Sequence, residues 1–529
     1  MDRKSFIKKS SAAGLGLSVM PFSFAGDNDD ALEKSKERPV ANPRVQKKII
    51  VAGAGIAGLC CGYELMKAGH EVVIMDASGR HGGHVLTGRD GLSDGLYVDY
   101  GAEGFTNPGY EKFREYIEEF DLDILPYRHR INRLTRVNDQ YYRDDELTAR
   151  RFDQAKELGG FNERETAWLS SNPLWSLETL YLDPYFERFN NDYQPFGLGL
   201  GHLDHIPASE LFKQEGASDA AINYLGGGNI SALYKIWQSY IMKVREIPLH
   251  HPEHLYRLKG GNQVMTNAFA SRLGERVQLG CRIQEIEHGN SGVTVTYQEF
   301  GETKKMSADF LASCLPVPAL RNILVTPDWP SEKRFVLDNI TYSSYPRFAF
   351  QARSKFWLKE DISINIQFSH PNLSSIWQVA EEVDTHRAVL MATGSGGVSP
   401  QRALQTFKEL YPGDPSNIDI EQALVHDWTT DSFAPSCERL AFPIGTLSDF
   451  WPHVMTPYGR IHFAGAYADN NNWGMEAATN SANRPLKLNK ADLMRSLSGP
   501  LMILSVMAAF AVSLSERCLC LTEAGRYLV

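Results

Sequence analysis

The chain has 529 residues, more than one hydrophobic core usually serves, so two or three domains are expected. Apolar residues make up 43% and charged residues 22%, a globular balance that excludes a disordered or collagen-like chain. Lys plus Arg (54) against Asp plus Glu (64) gives a net charge of -10, which argues against nucleic acid as the main partner. The seven cysteines are scattered and form no CxxC pair, so neither a disulfide framework nor structural zinc is expected.

Residues 1–25 read as an export signal, with Arg3, Lys4, Lys8 and Lys9 ahead of an uncharged stretch and Ser23-Phe24-Ala25 for cleavage. The run from Arg3 to Lys8 resembles a twin-arginine signal whose second arginine is lysine, so a periplasmic or otherwise extracytoplasmic protein is expected. Residues 26–44 are polar, with two prolines, and read as a linker.

Residues 48–53 form a short apolar run typical of a buried parallel strand. Gly53-Ala-Gly55-Ile-Ala57-Gly58 follows, then a helical pattern to Gly69 and a second apolar run, 71–76, that ends in Asp76. Strand, glycines, helix, strand and terminal acid together predict a dinucleotide site. Gly53 allows the tight turn, Gly55 the approach of a pyrophosphate, and Gly58 close packing of helix on strand. The helix N-terminus offers N–H groups to phosphate, and Asp76 offers its carboxylate to a ribose.

Residues 76–87, Asp-Ala77-Ser-Gly-Arg80-His-Gly82-Gly83-His84-Val-Leu-Thr, and 99–105, Asp-Tyr-Gly101-Ala102-Glu103-Gly-Phe, resemble the flavin amine oxidase superfamily. The resemblance implies FAD, held at Ala77, Arg80, Gly82, Gly83, Gly101, Ala102 and Glu103, with His84 where the family has a second arginine. His84 can donate a hydrogen bond but is not a permanent cation. The run Tyr127-Arg-His-Arg-Ile-Asn-Arg133 reads as a carboxylate clamp or as a solvated basic strand. Aromatic residues crowd 168–257, among them Trp168, Trp175, Tyr181, Tyr193 and Trp237; most read as core, a few as a substrate tunnel.

The resemblance resumes at Leu258-Lys-Gly-Gly-Asn-Gln-Val and at 276–283, where the backbone of Ile283 is implied to contact adenine. It returns at 459–484, with Gly465, Ala466 and a helix starting near Met475 under the flavin; Ala466 replaces the family's Glu or Thr. Arg347 stands where amine oxidases place a lysine that holds water beside the flavin. It reads either as a cation favouring electron transfer to dioxygen or as a surface residue on an edge strand. By similarity to monoamine oxidases, Trp428 adjoins the cofactor and Cys437 is a candidate thioether to FAD, or else a plain loop residue. The family's paired aromatic substrate cage maps to Glu438 and Gly474, so it is not evident here. Trp473 is expected to supply one wall and Glu438 to attract a cationic amine or to be solvated.

The expected fold is an α/β two-domain flavoprotein. A discontinuous Rossmann-like FAD domain takes 45–120, 256–325 and 425–485; a substrate domain of mixed sheet and helices takes 121–255 and 326–424. In the tail 486–529, the uncharged segment 496–515 reads as a membrane span, a buried or interfacial segment, or an unrelated extension. The implied activity is FAD-dependent oxidation of a small amine or amino acid by hydride transfer to flavin N5, with dioxygen as acceptor and imine and hydrogen peroxide as products. The alternatives are a desaturase or isomerase acting on a C–C bond, and a non-catalytic flavin-binding protein.

Overall fold

The computed structural model describes residues 46–157, 160–248, 251–435, 438–439 and 442–484. The segments read as an export signal (1–25) and a linker (26–44), the tail with 496–515, and Cys437 lie outside them.

The apolar run Lys48–Ala52 is the centre of a five-stranded parallel sheet. Glu71–Asp76 pairs on one side with Lys48 opposite Glu71, and Phe310–Ser313 pairs on the other with Ile49 opposite Phe310. Val277–Leu279 and Ile461–Phe463 close the two edges. Strands far apart in sequence therefore meet in one layer, which is why 48–52 carries no polar face. Helix Ile56–Lys67 packs on this sheet and buries nine of its twelve residues. That even burial follows from being covered by the sheet on one face and by helix Gln263–Leu273 on another.

A seven-stranded sheet forms the second layer, in the order Ile420–Asp427, Pro346–Ala352, Ala388–Thr393, Leu373–Val379, Ile366–His370, Leu134–Val137, Gln140–Arg143. Its pairs are antiparallel except Ile366–His370 with Leu134–Val137. Pro346–Ala352 and Ala388–Thr393 are buried along their whole length. Arg347 thus lies on an interior strand, and the edge-strand reading is corrected.

The aromatic-rich 168–257 stretch folds mainly into helices, including Leu177–Phe186, Ala208–Gln214 and Ala232–Val244. Tyr181, Phe212 and Trp237 are fully buried between them. This is the α/β architecture with mixed sheet and helices that the sequence implies. Among the described residues no helix is long and apolar enough to cross a membrane, and no group of three or more His, Cys, Asp or Glu side chains is gathered to hold a metal ion.

Candidate active site

A cavity of about 830 Å³ runs from the first glycine turn to the seven-stranded sheet, large for a small-molecule site and within the range of cofactor pockets. At its first end Gly53 leaves the sheet with φ +99°, and its N–H donates to Met75 O at 2.7 Å. A Cβ on Gly58 would stand 1.8 Å from the Gly53 carbonyl oxygen, so only hydrogen fits there and the helix lies hard against the turn. The helix N-cap, Gly55, gives no side-chain cap, and the first turn holds no acid. Its leading N–H groups and the positive end of its dipole are therefore available to an anion.

Asp76 ends the neighbouring strand on the cavity wall. Its Oδ2 accepts from Ala54 N at 2.7 Å and its Oδ1 from Ser78 N at 2.8 Å, which fixes the carboxylate while leaving a lone pair on each oxygen. Arg80 donates Nη1 to Gly83 O at 2.9 Å and so closes the turn that carries Gly82 and Gly83. Ala77, Gly83 and Ile283 line the same end. A glycine-only approach, a bare helix N-terminus and an oriented acid suit the pyrophosphate and ribose of FAD.

Midway, His84 Nε2 lies 3.0 Å from Ala434 O and the ring stands edge-on to Trp428 at 4.5 Å. Burial lowers the imidazole to about 4, so it is neutral, and because a carbonyl only accepts, the proton is on Nε2. Trp428 is fully buried, donates to Tyr100 O at 2.8 Å and stands behind His84 outside the cavity wall. In this position it supports the His84 ring. Asp99 accepts from Thr87 Oγ1 at 2.5 Å and from Asn262 N, while Asn262 Nδ2 donates to Ala102 O at 3.0 Å. These bonds hold the Gly101–Glu103 turn, and burial pushes the Asp99 carboxyl up to about 7.

At the far end Arg347 Nη1 donates to Glu103 Oε1 at 3.0 Å. Tyr127 donates its hydroxyl to Glu103 Oε2 at 2.8 Å and accepts from Trp377 Nε1 at 2.7 Å. The guanidinium also lies over the Tyr345 ring, 5.1 Å from its centroid. His129 stacks on Tyr127 at 4.2 Å and accepts from Arg130 Nε at 3.2 Å. Burial and nearby guanidiniums lower His129 to about 3, so it too is neutral.

Gly465, Ala466, Trp473 and Met475 line the opposite wall, where a helix begins at 474. Gly465 N donates to Ser481 Oγ at 2.8 Å, which ties the strand end to that helix. Gly474 has φ +77°, and a Cβ there would stand 2.4 Å from Tyr110 Oη. Tyr110 thus fills the space a ring at 474 would need, and it meets Trp473 edge-on at 6.3 Å.

The cavity gathers Gly53, Gly55, Ala57, Asp76, Ala77, Arg80, Gly83, His84, Gly101, Ala102, Glu103, Ile283, Arg347, Gly465, Ala466, Trp473 and Met475 on one surface. Gly58 and Gly82 stand just behind it, in the turns they shape. The backbone of Glu438 pairs with Ser343, and its side chain lies outside the described residues. Trp168, Trp175, Tyr181, Tyr193 and Trp237 do not reach the wall, so the tunnel reading for them is corrected. Sequence reasoning missed Tyr110, Tyr127 and Tyr345 as wall residues. Tyr345 lies just ahead of the strand Pro346–Ala352 that carries Arg347, and neither it nor Tyr110 carries a sequence signal of its own.

A family model described as flavin containing amine oxidoreductase matches residues 56–484. The chain is 26% identical over 467 residues to the L-amino-acid oxidase of Pseudechis australis, covering 83% of this chain and 86% of that one. Its structure resembles cyclohexylamine oxidase from Brevibacterium oxydans (TM-score 0.66, 18% identity, 85% of this chain and 100% of that one). It also resembles a putrescine oxidase bound to putrescine (TM-score 0.66, 16% identity, 85% and 99%).

Proposed function

The chain belongs to the flavin containing amine oxidoreductase family and is an FAD-dependent oxidoreductase; on that premise we propose that it oxidises a small amine or amino acid at the carbon beside nitrogen, with dioxygen as the final acceptor. FAD, when bound, supplies the acceptor for the departing hydride and the route of its electrons to dioxygen. The products would be an imine, hydrolysed to carbonyl and ammonia, and hydrogen peroxide.

One observation carries this reading: a single cavity joins the dinucleotide turn at Gly53 and Asp76 to a compartment walled by Glu103, Arg347, Tyr110 and Trp473. The first part would hold the nucleotide through backbone N–H groups and the Asp76 carboxylate. The 474 helix start, with Gly465 and Ala466, would support the far end of the cofactor. Trp473 and Tyr110 would press the substrate into place and exclude water, with orientation as the protein's main contribution. We assign no general base: a substrate that binds as an ammonium would release its proton to solvent before the neutral amine gives up hydride.

The proposal also places the FAD-binding part at 45–120, 256–325 and 425–485, the substrate part at 121–255 and 326–424, and export on the signal at 1–25. Measuring ammonia and hydrogen peroxide from purified protein with a panel of amines and amino acids tests the activity. Both products should appear in equal amounts. Double-bond formation without ammonia would select the C–C reading instead.

A further inference from the structure

We propose that Glu103 is the group that receives the substrate's positively charged nitrogen, and that Arg347 is the positioning residue that holds it there. This inference rests on the amine-oxidising reading above and names how that site selects its substrates.

The Glu103 carboxylate is on the cavity wall with 21% of its side chain exposed, while Arg347 beside it is 8% exposed. Its two described donors, Arg347 Nη1 and the Tyr127 hydroxyl, take one oxygen each. An ionised carboxylate has about four lone-pair sites, so each oxygen keeps one for an incoming N–H. Arg347 in turn is held over Tyr345 and lies within 5.8 Å of the Trp377 ring centroid. The Trp377–Tyr127–Glu103 chain of bonds fixes the carboxylate from its other side.

Rings complete the setting. Trp473 and Tyr110 meet edge-on and line the same cavity, and aromatic faces attract a cation. A neutral carbon skeleton would gain nothing from the Glu103 carboxylate. Arg130 lines the same cavity, so the field there is not uniformly negative. Recognition of nitrogen therefore depends mainly on direct contact with Glu103 rather than on long-range attraction, and removal of this one charge should leave only the weaker preference that the rings supply.

The test uses FAD-loaded enzyme and two probes of nearly equal shape, benzylamine and benzyl alcohol, with affinity read from the shift of the flavin absorbance at a pH where the amine is protonated. Wild type should bind the amine at least about 10-fold more tightly than the alcohol, as expected for a charge-assisted hydrogen bond. Glu103→Gln, which keeps an acceptor and similar volume, should lose most of the amine preference with alcohol affinity little changed. Arg347→Lys, which preserves a cation for Glu103, should restore most of the preference that Arg347→Met loses. FAD content per chain reports folding for each variant. An unchanged amine preference in Glu103→Gln, with amines still reducing the wild-type flavin, overturns the role of Glu103 alone. Absence of both amine binding and flavin reduction in wild type overturns the reading beneath it.

Discussion

Replacing Arg347 by Met removes the cation from a nearly buried pair while keeping a long apolar side chain. At 3.0 Å and an effective dielectric of about 20, the Coulomb attraction is about 5 kcal/mol. Relief of the arginine's own desolvation and the solvent access that remains at Glu103 reduce the net loss to about 2–3 kcal/mol. Glu103→Gln alone removes this carboxylate from the guanidinium and should cost a similar amount. The double variant removes both members of the pair, so it should fall within about 1 kcal/mol of wild type, with a coupling energy of at least about 3 kcal/mol. Urea unfolding at one fixed FAD concentration measures all four proteins on the same scale. Additive losses, with no coupling, would refute the claim that the two side chains form a compensated pair.

Other consequences follow from single groups. His84, held neutral at about 4, costs nothing above pH 6.5, but the unfolded chain gains a proton there as the pH falls toward 4. Stability should therefore drop by up to about 3 kcal/mol across that window on its account, against the opposing contributions of Asp99 and Glu476. His84→Gln should show a shallower acid slope in urea midpoints, and an identical slope would count against a buried neutral ring. Gly474→Ala forces a side chain into φ +77° and onto Tyr110, costing about 1–3 kcal/mol. Adding Tyr110→Phe should recover only the steric part, and a neutral Gly474→Ala would contradict the geometry. Glu476 accepts from Lys112 N at 3.0 Å and Phe113 N at 2.8 Å, capping helix Glu111–Glu119 from a distant segment. Glu476→Gln turns an amide donor toward those N–H groups and should lower stability by about 1–2 kcal/mol in the same unfolding assay.

The nucleotide end was legible because its chemistry is local. Gly53, Gly58 and Asp76 sit within one strand–turn–helix–strand unit, and each obeys a backbone constraint that a short window of sequence displays. Arg347 was legible as a position but not as a pair. Its partner Glu103 is 244 residues away, on a turn fixed by Asn262, and no spacing rule links the two. The same holds for Tyr110, which takes the room left by Gly474 across 364 residues of chain. Trp428 was legible from the resemblance as a position, but not the commitment of its N–H to Tyr100 O or the backing its ring gives His84. The aromatic-rich helices were legible as core, as Tyr181 and Trp237 show, although rings that bury against one another look alike in sequence whether or not a cavity lies between them.

The most direct measurement is the absorbance spectrum of the purified protein, followed by anaerobic addition of amines and amino acids. A flavin spectrum at one FAD per chain that bleaches with at least one of these compounds, and returns on admission of air, is the result expected. Folded, colourless protein that takes up no added FAD, or a bound flavin that no amine or amino acid reduces, would contradict the account.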